Sequence, residues 1–154
     1  MLNDCKSAQE RWGGVSEIID RWLTERKELL VDYCELSNAV TEQQPVEFGS
    51  MLSKLCQIMV DYVSAGHFEI YDQLIQEAKD FDDAAGLRAG KDFYKTIDST
   101  TEDILDFNDK YQETDDLEAL SADLSKIGEL LATRFEAEDS MIEILHVAHK
   151  DEVA

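Results

Sequence analysis

The stretch LCQIMVDYVSAGHFEIYDQL, Leu55 to Leu74, reads as two short apolar-periodic segments joined at Ser64-Ala65-Gly66-His67. Leu55, Cys56, Met59, Tyr62 and Val63 recur at helical spacing before the junction, and Phe68, Tyr71, Leu74 and Ile75 after it. Gly66 predicts a helix stop, because glycine enters the left-handed conformation of a helix end without steric cost. His67 and Phe68 then open the next helix. The spacing therefore predicts a polar hinge carrying a histidine between two core-forming helices.

Upstream, Val15, Ile18, Ile19, Trp22, Leu23, Leu29, Leu30, Tyr33 and Leu36 lay an apolar stripe along a helix from about Val15 to about Leu36. A short helix over residues 2–11 is expected to end at Gly13-Gly14. Ser37 to Gly49, holding Pro45, reads as a loop. Helices over 50–63 and 68–78 flank the hinge, and Lys79 to Lys91 reads as a loop loosened by Gly86 and Gly90. A helix from about Asp92 to about Gln112 carries a weaker stripe through Tyr94, Ile97, Thr101, Ile104, Leu105, Asn108 and Tyr111. Thr114-Asp115-Asp116 supplies an N-cap and acids suited to a helix N-terminus. The last helix runs from about Leu117 to His149, with Gly128 beside its stripe to admit a neighbouring helix. Strand-like alternation and internal repeats are absent from the sequence. The expected class is all-α: one domain over 1–154, an antiparallel bundle of long helices with additional short ones.

Charge narrows the partners. With 35 acidic and 14 basic residues the net charge is −21. Such a chain repels nucleic acid, whose phosphates need Lys and Arg, and anionic membranes. It attracts basic partners in a salt-dependent way, although acidity also serves solubility alone. The spacing of Cys5, Cys34 and Cys56 gives no CxxC, and Cys34 and Cys56 read as buried free thiols of a reducing compartment. Neither an apolar signal region nor a membrane-length run occurs, so a cytoplasmic location is expected.

Chemistry is sparse. Glycine-rich phosphate loops and a nucleophile elbow are both missing. Glu143-Ile144-Leu145-His146 is a lone Glu-x-x-His, whereas a di-iron bundle needs a pair of these motifs and further inward glutamates. Metal, cofactor and catalytic residues are therefore not expected, and neither is an enzyme. Arg26, Arg134 and Glu138 fall on core stripes. An unpaired buried charge is very costly, so they predict either an internal polar network that fixes helix register or a polar cleft that receives a partner. Trp22 reads as core, and Trp12, beside Gly13-Gly14, as a half-exposed anchor.

RWGGVSEIIDRWLTERKELLVDYCEL (Arg11 to Leu36), VDYVSAGHFEIY (Val60 to Tyr71) and IGELLATRFEAED (Ile127 to Asp139) together resemble the blocks of the Rsd/AlgQ proteins, the regulators of sigma D, in order and spacing. The resemblance implies an all-α anti-sigma factor of gammaproteobacterial type. It would bind region four of the primary sigma factor of RNA polymerase, the domain that reads the −35 element, and keep sigma from core enzyme and promoter. That would favour sigma exchange in stationary phase. Of the residues in the matching blocks, Trp22, Tyr62, Phe68 and Phe135 are expected in the core. Asp20, Asp61, Ser64, His67 and Asp139 are expected at the sigma contact or a polar cleft. Two other readings fit the residues: an acidic helical adaptor for a different protein, such as a phosphotransfer carrier or a stringent-response enzyme, and a metal-binding helical bundle enzyme resting on Glu143 and His146.

Overall fold

The computed structural model describes residues 2–42, 48–113 and 117–150, with side chains from Glu10 onward except those of Arg11 and Glu113. The Cys5 thiol, Pro45 and the Thr114-Asp115-Asp116 cap lie outside the described residues. Five α-helices follow in order: α1 (Leu2–Thr41), α2 (Phe48–Ala65), α3 (Tyr71–Asp80), α4 (Ala84–Glu113) and α5 (Leu120–Leu145). A π-turn, Gly66–Ile70, joins α2 to α3, and a 3-10 turn, Val147–His149, follows α5. The protein is all-α. α2, the π-turn and α3 form a single rod, so four rods pack as an antiparallel bundle: α1 on α2, α2 on α4, α4 on α5, and α5 back on α1.

Helix ends depart from the expected ones wherever the sequence predicts a stop at glycine. α1 runs through Gly13-Gly14 and continues to Thr41. No described glycine has positive φ, so none adopts the left-handed conformation that ends a helix. Glycine in mid-helix costs only about 1 kcal/mol against alanine, and the packing of Ile19, Trp22, Leu29 and Leu36 in the core outweighs that. α4 likewise begins at Ala84 and includes Gly86 and Gly90, leaving only a tight turn at residues 81–83. There Asp82 takes φ 52.

Gly66 is the clearest correction. The chain there stays right-handed helical: Ala65 has φ −60, ψ −41, and the Tyr71 N–H donates to Gly66 O, five residues back. The glycine is needed for close approach instead. A Cβ at Gly66 would meet Tyr71 Oη at 2.7 Å and Trp22 Cζ2 at 3.1 Å, and both of those side chains are buried. Trp22 Nε1 also donates to Tyr62 O at 3.0 Å, tying α1 to α2 just ahead of the π-turn. Gly66→Ala is expected to destabilise the protein by about 1–3 kcal/mol through this overpacking, read as a lower urea midpoint at unchanged helix content.

The core takes Ile19, Trp22, Leu29 and Leu36 from α1, Leu55, Met59 and Tyr62 from α2, Ile97 and Ile104 from α4, and Leu124, Leu131 and Leu145 from α5. Gly128 admits Tyr33 at closest approach, where the Tyr33 hydroxyl donates to Leu124 O at 2.7 Å. Some expected core positions are solvent-facing. Leu30 is 40% exposed and Phe68 81%, and Cys34 is exposed while Cys56 is buried. Burial pushes the Cys56 thiol up to about 11. Phe68 is outside the core because the π-turn shifts it out of the helical phase that Tyr71 and Leu74 keep.

Candidate functional site

Between the rods lies a polar network centred on Glu138, which is 1% exposed. Its carboxylate accepts hydrogen bonds from Tyr62 Oη at 2.7 Å and from Tyr71 Oη. Tyr62 and Tyr71 are nine residues apart, and on an uninterrupted α-helix they would point about 180° from each other. The wider π-turn between them absorbs one residue, leaving about 80°, so both phenols reach one carboxylate. This is what the irregular turn does for the interior.

Two guanidinium groups flank Glu138. Arg26 Nε donates to Tyr62 Oη at 3.0 Å, its Nη2 lies 3.5 Å from Glu138 Oε1, and its Nη1 donates to the exposed Asp139 at 2.5 Å. Its Cζ also lies 4.6 Å from the centroid of the Phe135 ring. Arg134 has no exposed side-chain area, and its Nε lies 3.5 Å from Glu138 Oε2. Arg134 Nη1 donates to Ile97 O, Thr100 Oγ1 and Thr101 Oγ1 at 3.2, 3.0 and 2.9 Å, and Nη2 to Tyr71 Oη at 3.1 Å. Burial pushes the Glu138 carboxyl up, against Arg134, Tyr71, Tyr62 and Arg26, which all favour its charged form. Burial and the neighbouring Glu138 also raise the Tyr62 and Tyr71 phenols, keeping them protonated as donors. The network thus places two cations, one buried carboxylate and two phenols where four rods meet. It links them to one another through hydrogen bonds.

His67 closes this network towards solvent. Its Nε2 is 3.1 Å from Thr101 Oγ1 and 3.4 Å from Arg134 Nη2, and Tyr94 Oη lies 3.4 Å from Nδ1. Burial and then the Arg134 charge lower its pKa from 6.5, with Asp98 and Asp72 opposing. A base with a depressed folded pKa resists protonation in the fold. Its contribution to stability is full above pH 6.5 and is lost as pH falls through the folded value. The urea midpoint should accordingly fall as pH drops below 6.5, and His67→Gln should flatten part of that fall.

On the outside, α1 and α2 bound an open groove of about 660 Å³ lined by Glu25, Glu28, Asp32, Lys54, Gln57 and Asp61, among others. Lys54 reaches Asp32 at 3.3 Å, and Gln57 Nε2 donates to Asp61 at 3.0 Å. The Glu25 carboxyl is raised, first by burial and then by the charges of Asp61, Glu69 and Glu28, against a smaller pull from Arg21. Carboxylates are thus crowded at this face, and Glu69, which contributes to the crowding, directly follows the exposed Phe68. A large aromatic beside a surplus of negative charge is suited to a basic, partly apolar partner.

Residues 1–146 match the family model described as the regulator of RNA polymerase sigma(70) subunit, Rsd/AlgQ. The chain belongs to the Rsd/AlgQ family. It is 35% identical over 150 residues to the regulator of sigma D of Yersinia pseudotuberculosis serotype O:1b (strain IP 31758), covering 93% of this chain and 88% of that protein. The regulator of sigma D of Pectobacterium carotovorum subsp. carotovorum (strain PC1) is 34% identical over 153 residues, covering 95% and 99%.

In this Rsd/AlgQ protein the residues singled out from sequence fall into separate places. Asp61 lines the acidic groove. His67 and Asp139 sit at opposite ends of the buried network that holds Arg26, Arg134 and Glu138. Asp20 is exposed on α1, away from the groove lining, and Ser64 is half-buried on α2, three residues beyond Asp61. Glu25, Glu28 and Asp32 were not foreseen. Their 25, 28, 32 spacing marks one face of α1 and was the available signal. The lone Glu143 and His146 diverge, one exposed and one buried. Among the described residues of this Rsd/AlgQ chain, no group of three or more His, Cys, Asp and Glu side chains could hold a metal ion. None of the helices they form is long and apolar enough to cross a membrane.

Proposed function

We propose that this single-domain helical bundle is an anti-sigma factor. It binds region four of the primary sigma factor and blocks its association with core enzyme and with −35 promoter DNA. It thereby favours sigma exchange in stationary phase. Region four of that factor is a helix-turn-helix module with a face that must be basic to hold phosphates. The observation that carries the reading is the α1–α2 groove, where Glu25, Glu28, Asp32 and Asp61 line one surface and Phe68 stands 81% exposed beside Glu69. Family membership and a net charge of −21 support it. In this mechanism the carboxylates occupy sites that DNA phosphates would take, the aromatic anchors the contact, and the Glu138 network keeps α1, α2 and α5 in register behind the surface. Binding is by occlusion, in the cytoplasm, with neither cofactor nor catalysis.

The test is co-elution of the full chain with isolated sigma region four on gel filtration. A stable complex is expected at low salt, weakening as salt shortens the Debye length from about 30 Å at 0.01 M to about 8 Å at 0.15 M. Failure to co-elute at low salt would overturn the proposal in favour of an acidic adaptor for another basic partner.

A further inference from the structure

A second cavity, away from the acidic groove, lies between the N-terminal part of α1 and the C-terminal part of α3. It measures about 510 Å³, within the range of small-molecule pockets, and Trp12, Ile18, Glu77, Asp80 and Phe81 help line it. Its aromatic walls are held from behind. Trp12 stacks on His146 at 4.4 Å and 7° and donates its Nε1–H to His146 O at 3.1 Å. Phe81 stacks on His149 at 4.6 Å and 26°. Both histidines are buried and tied to carboxylates: His146 Nδ1 to Glu77 at 3.0 Å and His149 Nε2 to Asp83 at 3.0 Å. Two partly exposed rings are thus fixed by buried histidine–carboxylate pairs, a degree of preorganisation that core packing alone does not require.

We propose that this cavity is a binding site for a small organic cation, an alkyl ammonium or guanidinium compound with a short apolar arm. Charge and shape both point that way. Asp80, exposed at the rim, supplies negative charge, the Glu77 carboxylate behind it is held by His146, and none of the described residues lining the cavity is Lys or Arg. Trp12 and Phe81 offer ring faces that attract cations, and Ile18 offers apolar contact to the arm. The site goes beyond sigma binding and does not depend on it, since its lining residues are distinct from those of the α1–α2 groove.

Agmatine is the probe, titrated into the full ¹⁵N-labelled chain. The two tryptophans give two indole N–H signals, of which Trp22 is buried at the π-turn. Agmatine is expected to shift the Trp12 signal saturably and leave the Trp22 signal in place. Gln73→Lys puts a like charge at the exposed lip of the cavity and should weaken binding at least about tenfold. Asp61→Lys, in the other groove, should not change it. A Trp12 signal that does not move, or the same affinity in Gln73→Lys, would overturn the proposal and leave only diffuse attraction of cations to an acidic chain. Equal weakening by Asp61→Lys would do the same. Each outcome is independent of whether sigma binds.

Discussion

Glu25→Lys and Asp61→Lys are each expected to weaken binding to sigma region four by at least about tenfold, or 1.4 kcal/mol, with helix content unchanged. The reason lies in the crowding at the α1–α2 face. The Glu25 carboxyl is held above its ordinary value by burial and by Asp61, Glu69 and Glu28. A basic partner relieves that repulsion on contact, so each carboxylate there contributes to binding both through its own pair and through its neighbours. A lysine at either position replaces an attraction with a like-charge juxtaposition against the partner. It does not harm the fold, because in the free protein it relieves the same crowding. The signature is therefore a split: a titration of region four shows lost affinity, while the urea midpoint holds or rises. Unaltered affinity would remove that residue from the contact.

The second large effect is on stability. Glu138→Ala is expected to cost about 3–5 kcal/mol, because it leaves the buried Arg134 and the half-buried Arg26 without their shared carboxylate. Arg26 keeps Asp139 as a partner. Arg134 is fully buried, with only uncharged oxygens and the His67 ring as its remaining partners: Ile97 O, Thr100, Thr101, the Tyr71 hydroxyl and His67 Nε2. The phenols of Tyr62 and Tyr71 lose their acceptor as well. For a chain of this size the loss corresponds to a fall in Tm of roughly 10 °C, measured by calorimetry. A change below about 1 kcal/mol would mean that the rods are held in register by apolar packing alone.

Much of this fold is legible in the sequence because four rods need only apolar stripes and short connections. The stripe through Ile19, Trp22, Leu29 and Leu36 is buried as its spacing demands. Charges on stripes were equally readable: Arg26, Arg134 and Glu138 stood out because burial would be costly without partners. The π-turn was hidden. Its extra residue leaves Tyr71 and Leu74 inside but turns Phe68 outward, and a search at α-helical period gives all three to the same face. Gly66 then suggested an end where the chain needed only room for Tyr71 and Trp22. The groove was obscured for a different reason. With 35 acidic residues in the chain, carboxylates at helical spacing occur on many faces, and only the packing of α2 beside α1 picks out Glu25, Glu28 and Asp32. The Glu77–His146 pair spans 69 positions, with nothing local to announce it.

The most direct measurement mixes the purified chain with the primary sigma factor, core RNA polymerase and a fragment carrying the −35 element at physiological ionic strength, and follows where sigma resides. Sigma held by the acidic bundle, with core and promoter both deprived of it and the Asp61→Lys protein unable to hold it, is the expected result. Sigma distributed between core and promoter as though the chain were absent would contradict the proposal that its carboxylates take the place of DNA phosphates.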